Sequence, residues 1–494
     1  VGAALWIVAI VLYLRAVAER PSGWDVGAVG RWLRRPEVRV VFGREALVVA
    51  AVLAVAAVYR FHDLALVPRA MTSDHVEKLI DIHELTGGQA RAFFWRNTGR
   101  ELFQFYWTAL FVWLGGLPVS FLTQKIAMAT LSVIAITFTY GLGRRVAGPA
   151  VGAAAALALA LCPWDVQITR VALRYELSAV FAGLSLWLLV RALQLGTRNS
   201  WLACGAAMAV GLHGYTGFRP ILLAALALVA LRLGYDAAAR RRSGVAAPAG
   251  LWRVLAGHVV ATAGLGLLLL APLLRYAVDQ PGLFLERALT RTTGVEQALA
   301  NPPLVQFAIN MRQALLMFNV LGDSAWLVNP AGRVALETAG AALFLLGVVT
   351  AAWRARRGDW RGAALLATVP LMLTAAAMAL AFPNEVPHLA RSAGALPAVA
   401  VLVALPLGEI ARRYQGAAGR TGRIAALVVA AALFVGMGRN TWRRYYNEYR
   451  PQYNGSTHNT FEGAEVARGF IALGGDLDHV YLVGWSDGWD YRAI

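Results

Sequence analysis

Stretches of mostly apolar residues, each near the length of a membrane span, recur along the whole chain. They lie near 1–14, 45–60, 121–141, 147–162, 176–191, 200–214, 220–234, 251–274, 335–352, 362–382, 394–410 and 424–438. About 20 helical residues cross the roughly 30 Å of hydrocarbon in a bilayer, and backbone in lipid must satisfy its own hydrogen bonds. A chain patterned this way is expected to fold as an all-α polytopic membrane protein of about 11–12 transmembrane helices. Several runs are short and rich in Ala and Gly, which suits close helix packing. Of the 494 residues, 58% are apolar and 15% charged, where soluble domains carry roughly 25% charged residues. An ordinary soluble enzyme is excluded.

The net charge of +18 would raise nucleic acid as a partner if it formed one patch. It does not. Residues 15–45, 144–145, 191–198, 232–253, 353–361 and 409–423 hold 24 of the 46 Lys+Arg and 7 of the 28 Asp+Glu. These segments alternate with segments near neutrality, the pattern by which short cytoplasmic loops keep Arg and Lys. They are therefore read as cytoplasmic, with no nucleic-acid partner. Cys162 and Cys204 each sit in an apolar run and offer neither a disulfide framework nor a metal spacing.

The opposite face receives two long loops, 61–120 and 275–334, turns near 163–175, 215–219 and 383–393, and the tail from 439. Polar chemistry is expected there. Asp74, His75, Glu77 and Lys78 open a segment whose Val76, Leu79, Ile80 and Leu85 make a helical apolar stripe. Asp74 and Glu77 have capping-box spacing, so Asp74 reads either as an N-cap or as a carboxylate held at the membrane surface to take a proton. Beyond it, residues 93–107 place Arg96, Arg100 and Glu101 among seven aromatics. This suits an interfacial helix at headgroup level, with arginines for phosphate.

The order of these motifs resembles the glycosyltransferase family 39 proteins, which include the protein O-mannosyltransferases and the lipid A aminoarabinose transferases. The resemblance rests on Asp74 in a long first external loop, Gly99-Arg100-Glu101 before an aromatic helix, and a span ending Gly143-Arg144-Arg145. It continues through Pro163-Trp164-Asp165, His213-Gly214-Tyr215, Met317-Phe318-Asn319 with Asn329-Pro330, and Pro387-His388-Leu389, over about residues 45–450. It implies a GT-C fold and transfer of a sugar from a polyprenyl-phosphate carrier to an acceptor on the external face of the cytoplasmic membrane. The acceptor, whether lipid, glycan or protein, is left open. The general base of that family is an acidic residue of the first external loop, and Asp74 is the matching position. The family's usual Asp-Glu pair reads Asp74-His75 here, which leaves a divalent metal role open, with Glu77 one helical turn away.

Residues 1–44 then read as an extra N-terminal span with a basic cytoplasmic loop, 45–438 as the catalytic membrane domain, and 439–494 as the start of an external α/β domain. Both ends read as cut, since Val1 lies within an apolar run and Ile494 follows the strand-like 479–483.

An inverting displacement needs a base, charge stabilisation at the departing phosphate, and exclusion of water. Arg170 and Arg174, four apart, suggest a phosphate clamp or partners for Asp165 and Glu176. His213, Tyr215 and Arg219 read as a pocket wall or a helix start. Lys78, one of two lysines in the chain, suggests a point charge near the carrier phosphate. His388 and Arg391 suit a pocket or headgroup, and Asp165 is the candidate second carboxylate. The rival function is a secondary transporter or lipid flippase, which would hold its ionisable groups near the midplane on broken helices.

Overall fold

The computed structural model describes residues 2–19 and 43–476, apart from 98, 247, 249, 418 and 457–459. Each of the twelve apolar runs falls on a helix. Eight helices among the described residues are long and apolar enough to cross a membrane: Phe121–Ala147, Glu176–Leu195, Thr216–Ser243, Leu251–Asp279, Thr338–Arg356, Trp360–Ala377, Leu389–Arg413 and Ile424–Asn454. Pro149–Ala160 and Pro163–Arg170 make a further crossing if their 53° bend is counted within one span. The remaining three runs form Gly2–Val17, Arg44–Phe61 and Arg198–Leu212, which are shorter or carry more charge. The chain is an integral, multi-pass, all-α membrane protein.

The bend decides where several polar residues point. Pro163 has no N–H to continue the ladder, so a new helix starts there and folds back into the protein. All eight residues of Pro163–Arg170 are buried. Small residues let the spans approach closely. A Cβ on Gly347 would lie 2.0 Å from the Leu402 carbonyl oxygen, so nothing larger fits where those two helices cross.

The first long loop is structured rather than open. It holds the helix Ser73–Thr86, an antiparallel pair of two-residue strands, Phe93–Phe94 with Arg100–Glu101, and the helix Phe103–Trp113. Residues 102–114 are thus a short loop helix and not a span, as expected. The second long loop also folds, into Pro281–Thr292 and Pro303–Leu316. The boundary at 439 falls inside a continuous helical run, because Gly419–Arg443 continues through Arg444–Tyr449 to Asn454. Tyr445, Tyr449 and Tyr453 line one buried stripe of that run, and their hydroxyls donate to the carbonyls of Val67, Leu327 and Ala70. The stripe ties the two long loops together. Phe461–Ala472 is a helix, while the strand-like 479–483 lies outside the described residues.

Candidate active site

The helix Ser73–Thr86 is capped by Thr72, not by Asp74. The Thr72 N–H donates to His75 Nδ1 at 3.0 Å, closing a capping box in which His75 takes the part usually played by Glu. That corrects the expectation for Asp74, which sits in the first turn with its side chain free for other contacts. His75 is structural as well. Its Nε2 lies 2.6 Å from the Val171 carbonyl oxygen, and burial pushes the imidazole down to about 3, with Lys78 acting in the same direction.

Two polar faces diverge from this helix. On one, Arg96 joins Asp81 and Glu84 as ion pairs and reaches Glu77 at 4.0 Å. Glu77 and Arg96 therefore belong to a carboxylate–arginine network that braces the loop. On the other, Asp74 Oδ1 accepts hydrogen bonds from Asn97 Nδ2 and Arg100 Nη2, both at 2.6 Å. Arg100 lies on the strand pair and Asn97 on the turn that joins its strands. That turn needs Gly99, whose φ of 78° is left-handed and whose Cβ position would fall 2.4 Å from the Phe93 ring. Both bonds to Asp74 land on Oδ1. Among the described residues Oδ2 keeps its lone pairs unused, and the side chain is 34% exposed.

Lys78 lies one turn on and donates to the Asp74 carbonyl oxygen at 2.8 Å. Glu101 sits between Arg174 and Arg219, accepting from each at 3.1 Å. Arg174 in turn stacks 5.2 Å from the centre of the Tyr215 ring. The turn that presents Arg174 is held by three side chains. His75 meets the Val171 carbonyl, and Gln104 and Gln124 each donate to that of Ala172 at 2.8 Å.

Arg287, on Pro281–Thr292, completes the cluster and was not singled out from the sequence. It acts electrostatically on Asp74, Lys78 and Arg174. It also lines a cavity of about 440 Å³ with Arg219, Arg291 and Arg391, whose other wall includes Leu223, Ala375 and Met378. Lys78, Arg100, Arg174, Arg219 and Arg287 outnumber the carboxylates of Asp74 and Glu101 here. Burial would raise the Asp74 carboxyl, but the charges of Lys78 and Arg100, with Arg287 beyond, hold it well below the usual carboxylate range. Burial and the neighbouring Arg100 push Lys78 well below the usual ammonium range. Burial, with Arg287 nearby, lowers Arg174 to about 10. Positive charge is crowded enough that an entering anion would be stabilised.

Two expectations fail for reasons of packing. Asp165 is fully buried in an ion pair with Arg60 and accepts from Ser132 Oγ at 3.1 Å, so it is no second carboxylate beside Asp74. Arg170 does not join Arg174 in a clamp. It donates to the carbonyls of Tyr59, Arg60 and Val67 and stacks 4.6 Å from Tyr445, because the helix ends at Arg170 and the next turn reverses at Ala172 with φ 61°. His213 is held by the Leu269 carbonyl, 3.1 Å from Nε2. Tyr215, Arg219 and Arg391 do wall the cavity. His388 lies behind it, its Nδ1 3.7 Å from Asp323 Oδ2.

The residues around Asp74 do not fit a divalent metal. Its charged neighbours are mostly cationic, Glu77 faces Arg96, and among the described residues no group of three or more His, Cys, Asp or Glu side chains is placed to hold an ion.

No protein-family model and no curated protein sequence matches the chain. Solved structures do. The archaeal oligosaccharyltransferase AglB of Archaeoglobus fulgidus, in complex with an inhibitory peptide and a dolichol-phosphate, aligns with a TM-score of 0.50 at 14% identity, over 81% of this chain and 56% of that one. ArnT of Cupriavidus metallidurans bound to undecaprenyl phosphate aligns at 0.48 and 16%, over 82% and 73%. The Pmt1–Pmt2 protein O-mannosyltransferase complex of Saccharomyces cerevisiae aligns at 0.40 and 18%, over 52% and 36%. The chain thus spans little more than half the length of the archaeal enzyme. The fold it shares with that enzyme is that of the GT-C membrane glycosyltransferases.

Proposed function

We propose that the chain is a membrane glycosyltransferase that moves a sugar from a polyprenyl-phosphate carrier to an acceptor hydroxyl on the external face, by inverting displacement with Asp74 as general base. One observation carries this reading: a single carboxylate with an unused oxygen meets a surplus of buried cations beside an arginine-lined, partly apolar cavity. The archaeal enzyme of like fold was solved with a dolichol-phosphate, which accords with a lipid-phosphate donor.

The chemistry follows from the charges. The acceptor hydroxyl gives its proton to Asp74 Oδ2 while its oxygen bonds to the anomeric carbon. The bond from that carbon to the phosphate oxygen breaks, and the electron pair leaves on the carrier phosphate. Lys78, Arg100, Arg174 and Arg287 stabilise the charge that develops there. Arg219 and Arg391 hold the cavity mouth, and the isoprenoid tail lies along Leu223, Ala375 and Met378. Entry of the phosphate offsets the field that depresses Asp74, so the carboxylate becomes a better base when the donor is bound. A single carboxylate in reach of the substrate favours one displacement over two.

The test is reconstitution of the purified chain with polyprenyl-phosphate-linked sugars and hydroxyl acceptors. The expected result is a glycosylated acceptor of inverted anomeric configuration and one free polyprenyl phosphate per transfer. Uptake of solute into the vesicles with the carrier left intact would instead support a transporter.

A further inference from the structure

A second cavity lies at the other end of the bundle. The helix Phe121–Ala147 begins beside His75, whose ring is 4.7 Å from that of Phe121. Near its other end the Val146 carbonyl accepts from Arg354 Nη2 at 3.0 Å. Its 27 residues put the two cavities roughly 40 Å apart. Where Thr338–Arg356 ends, Trp360–Ala377 begins and Leu396–Ala417 passes, a space of about 470 Å³ is walled by five arginines, two carboxylates and Trp353.

The carboxylates do not balance the arginines. Asp359 serves both Arg354 and Arg361, at 2.9 and 2.8 Å from their Nε atoms. Glu409 serves Arg412 at 2.6 Å and Arg413 at 3.3 Å. Arg357 has no carboxylate partner among the described residues; its guanidinium stacks 4.2 Å from the Trp353 ring centre, and that of Arg413 lies 5.4 Å from the same ring. Arg354 is only 7% exposed, yet its Nη1 is buried without a hydrogen-bond acceptor. Orientation by positive loops accounts for arginines in solvent. It does not account for a buried guanidinium N–H left unsatisfied, which costs free energy until an acceptor arrives.

The surroundings say what kind of acceptor. Leu346, Val349 and Trp353 are spaced to lie on one face of their helix, and the first two are 53% and 66% exposed. An apolar stripe therefore runs from the membrane to the lip of a cationic cavity. We propose that this cavity binds the phosphate of an anionic phospholipid from the adjacent leaflet, with Arg354, Arg357 and Arg413 on the headgroup and an acyl chain along Leu346 and Val349. Basic pockets between spans that take acidic headgroups follow the same physics.

Native mass spectrometry of the full chain in detergent, titrated with phosphatidylglycerol, phosphatidylcholine and inorganic phosphate, tests this. Retention of phosphatidylglycerol alone is expected, weakened about tenfold by R357Q and about a hundredfold by R357Q with R413Q, as one and two charge-assisted contacts are lost. Unchanged thermal unfolding of both variants would confirm that they are folded. Equal retention by wild type and the double variant, equal binding of phosphatidylcholine, or inorganic phosphate binding as tightly as the lipid would overturn the proposal.

Discussion

Two clusters of charge meet inside this protein and are built on opposite terms. Around Asp165, the carboxylate is sealed with Arg60, and Arg60 also donates to Ser132 Oγ and the Ala160 carbonyl at 2.8 Å each. Around Asp74, one carboxylate faces Lys78, Arg100 and Arg287, about a third exposed and with an oxygen to spare. The first cluster is closed: Glu176 is buried beside Asp165 and Arg60, and none of the three lines the cavity. The second has an excess of one sign where a substrate can reach it. Closed charge belongs to architecture, and an open excess of cations is what a site for an anion requires.

If that contrast is right, the clusters should fail differently. Arg60→Met leaves Asp165 buried without its partner and should lower stability by about 3–5 kcal/mol, since removing half of a buried pair strands the other half. Thermal unfolding in detergent would read this, and an unshifted midpoint would break the comparison. Arg287→Gln should keep the midpoint but weaken use of the donor. Loss of one charge-assisted contact, about 1.5–3 kcal/mol, raises the donor KM roughly 10- to 100-fold.

A pH profile sharpens the contrast further. The cations hold the free Asp74 carboxyl well below the usual range, so it stays ionised as pH falls until that depressed value is reached. The acid limb of kcat/KM, which reports the free enzyme, should therefore lie below the ordinary carboxylate range. The acid limb of kcat should lie at higher pH, because bound phosphate cancels part of the field. Coincident limbs would contradict the assignment. The smallest effect is expected at Ala172, a left-handed non-glycine residue in the turn that carries Arg174. Ala172→Gly relieves roughly 1–2 kcal/mol of steric cost and loses about half of it to unfolded-state entropy. Its unfolding midpoint should rise by a few degrees at most, and a fall would show that the turn is not strained.

The spans were legible because twenty apolar residues admit few structures, and every run from 1–14 to 424–438 is a helix. The polar residues were legible only where local sequence fixed their direction. Asp74, Lys78 and Arg100 meet because a short helix and a strand pair from one loop pack together. Asp165 and Arg170 were misjudged because Pro163 turns their helix inward, and nothing local shows how far a bent helix folds back. Thr72 escaped as the cap because its partner is His75, outside the usual Glu or Gln pattern. Arg287 escaped because 275–334 was read as loop. Yet Pro281, followed by Arg287 and Arg291 at one-turn spacing, is a helix start with two cations on one face.

The central claim is that Asp74 takes the acceptor's proton. The most direct measurement compares Asp74→Asn with wild type for sugar transfer from a polyprenyl-phosphate donor, alongside thermal unfolding and donor binding. The amide keeps the size of the side chain and can still accept from Arg100, but it cannot act as a base at neutral pH. Transfer should fall by about 10²–10⁴-fold, the usual contribution of a positioned general base, with folding and donor binding retained. Transfer by the variant within a few-fold of wild type would contradict the account.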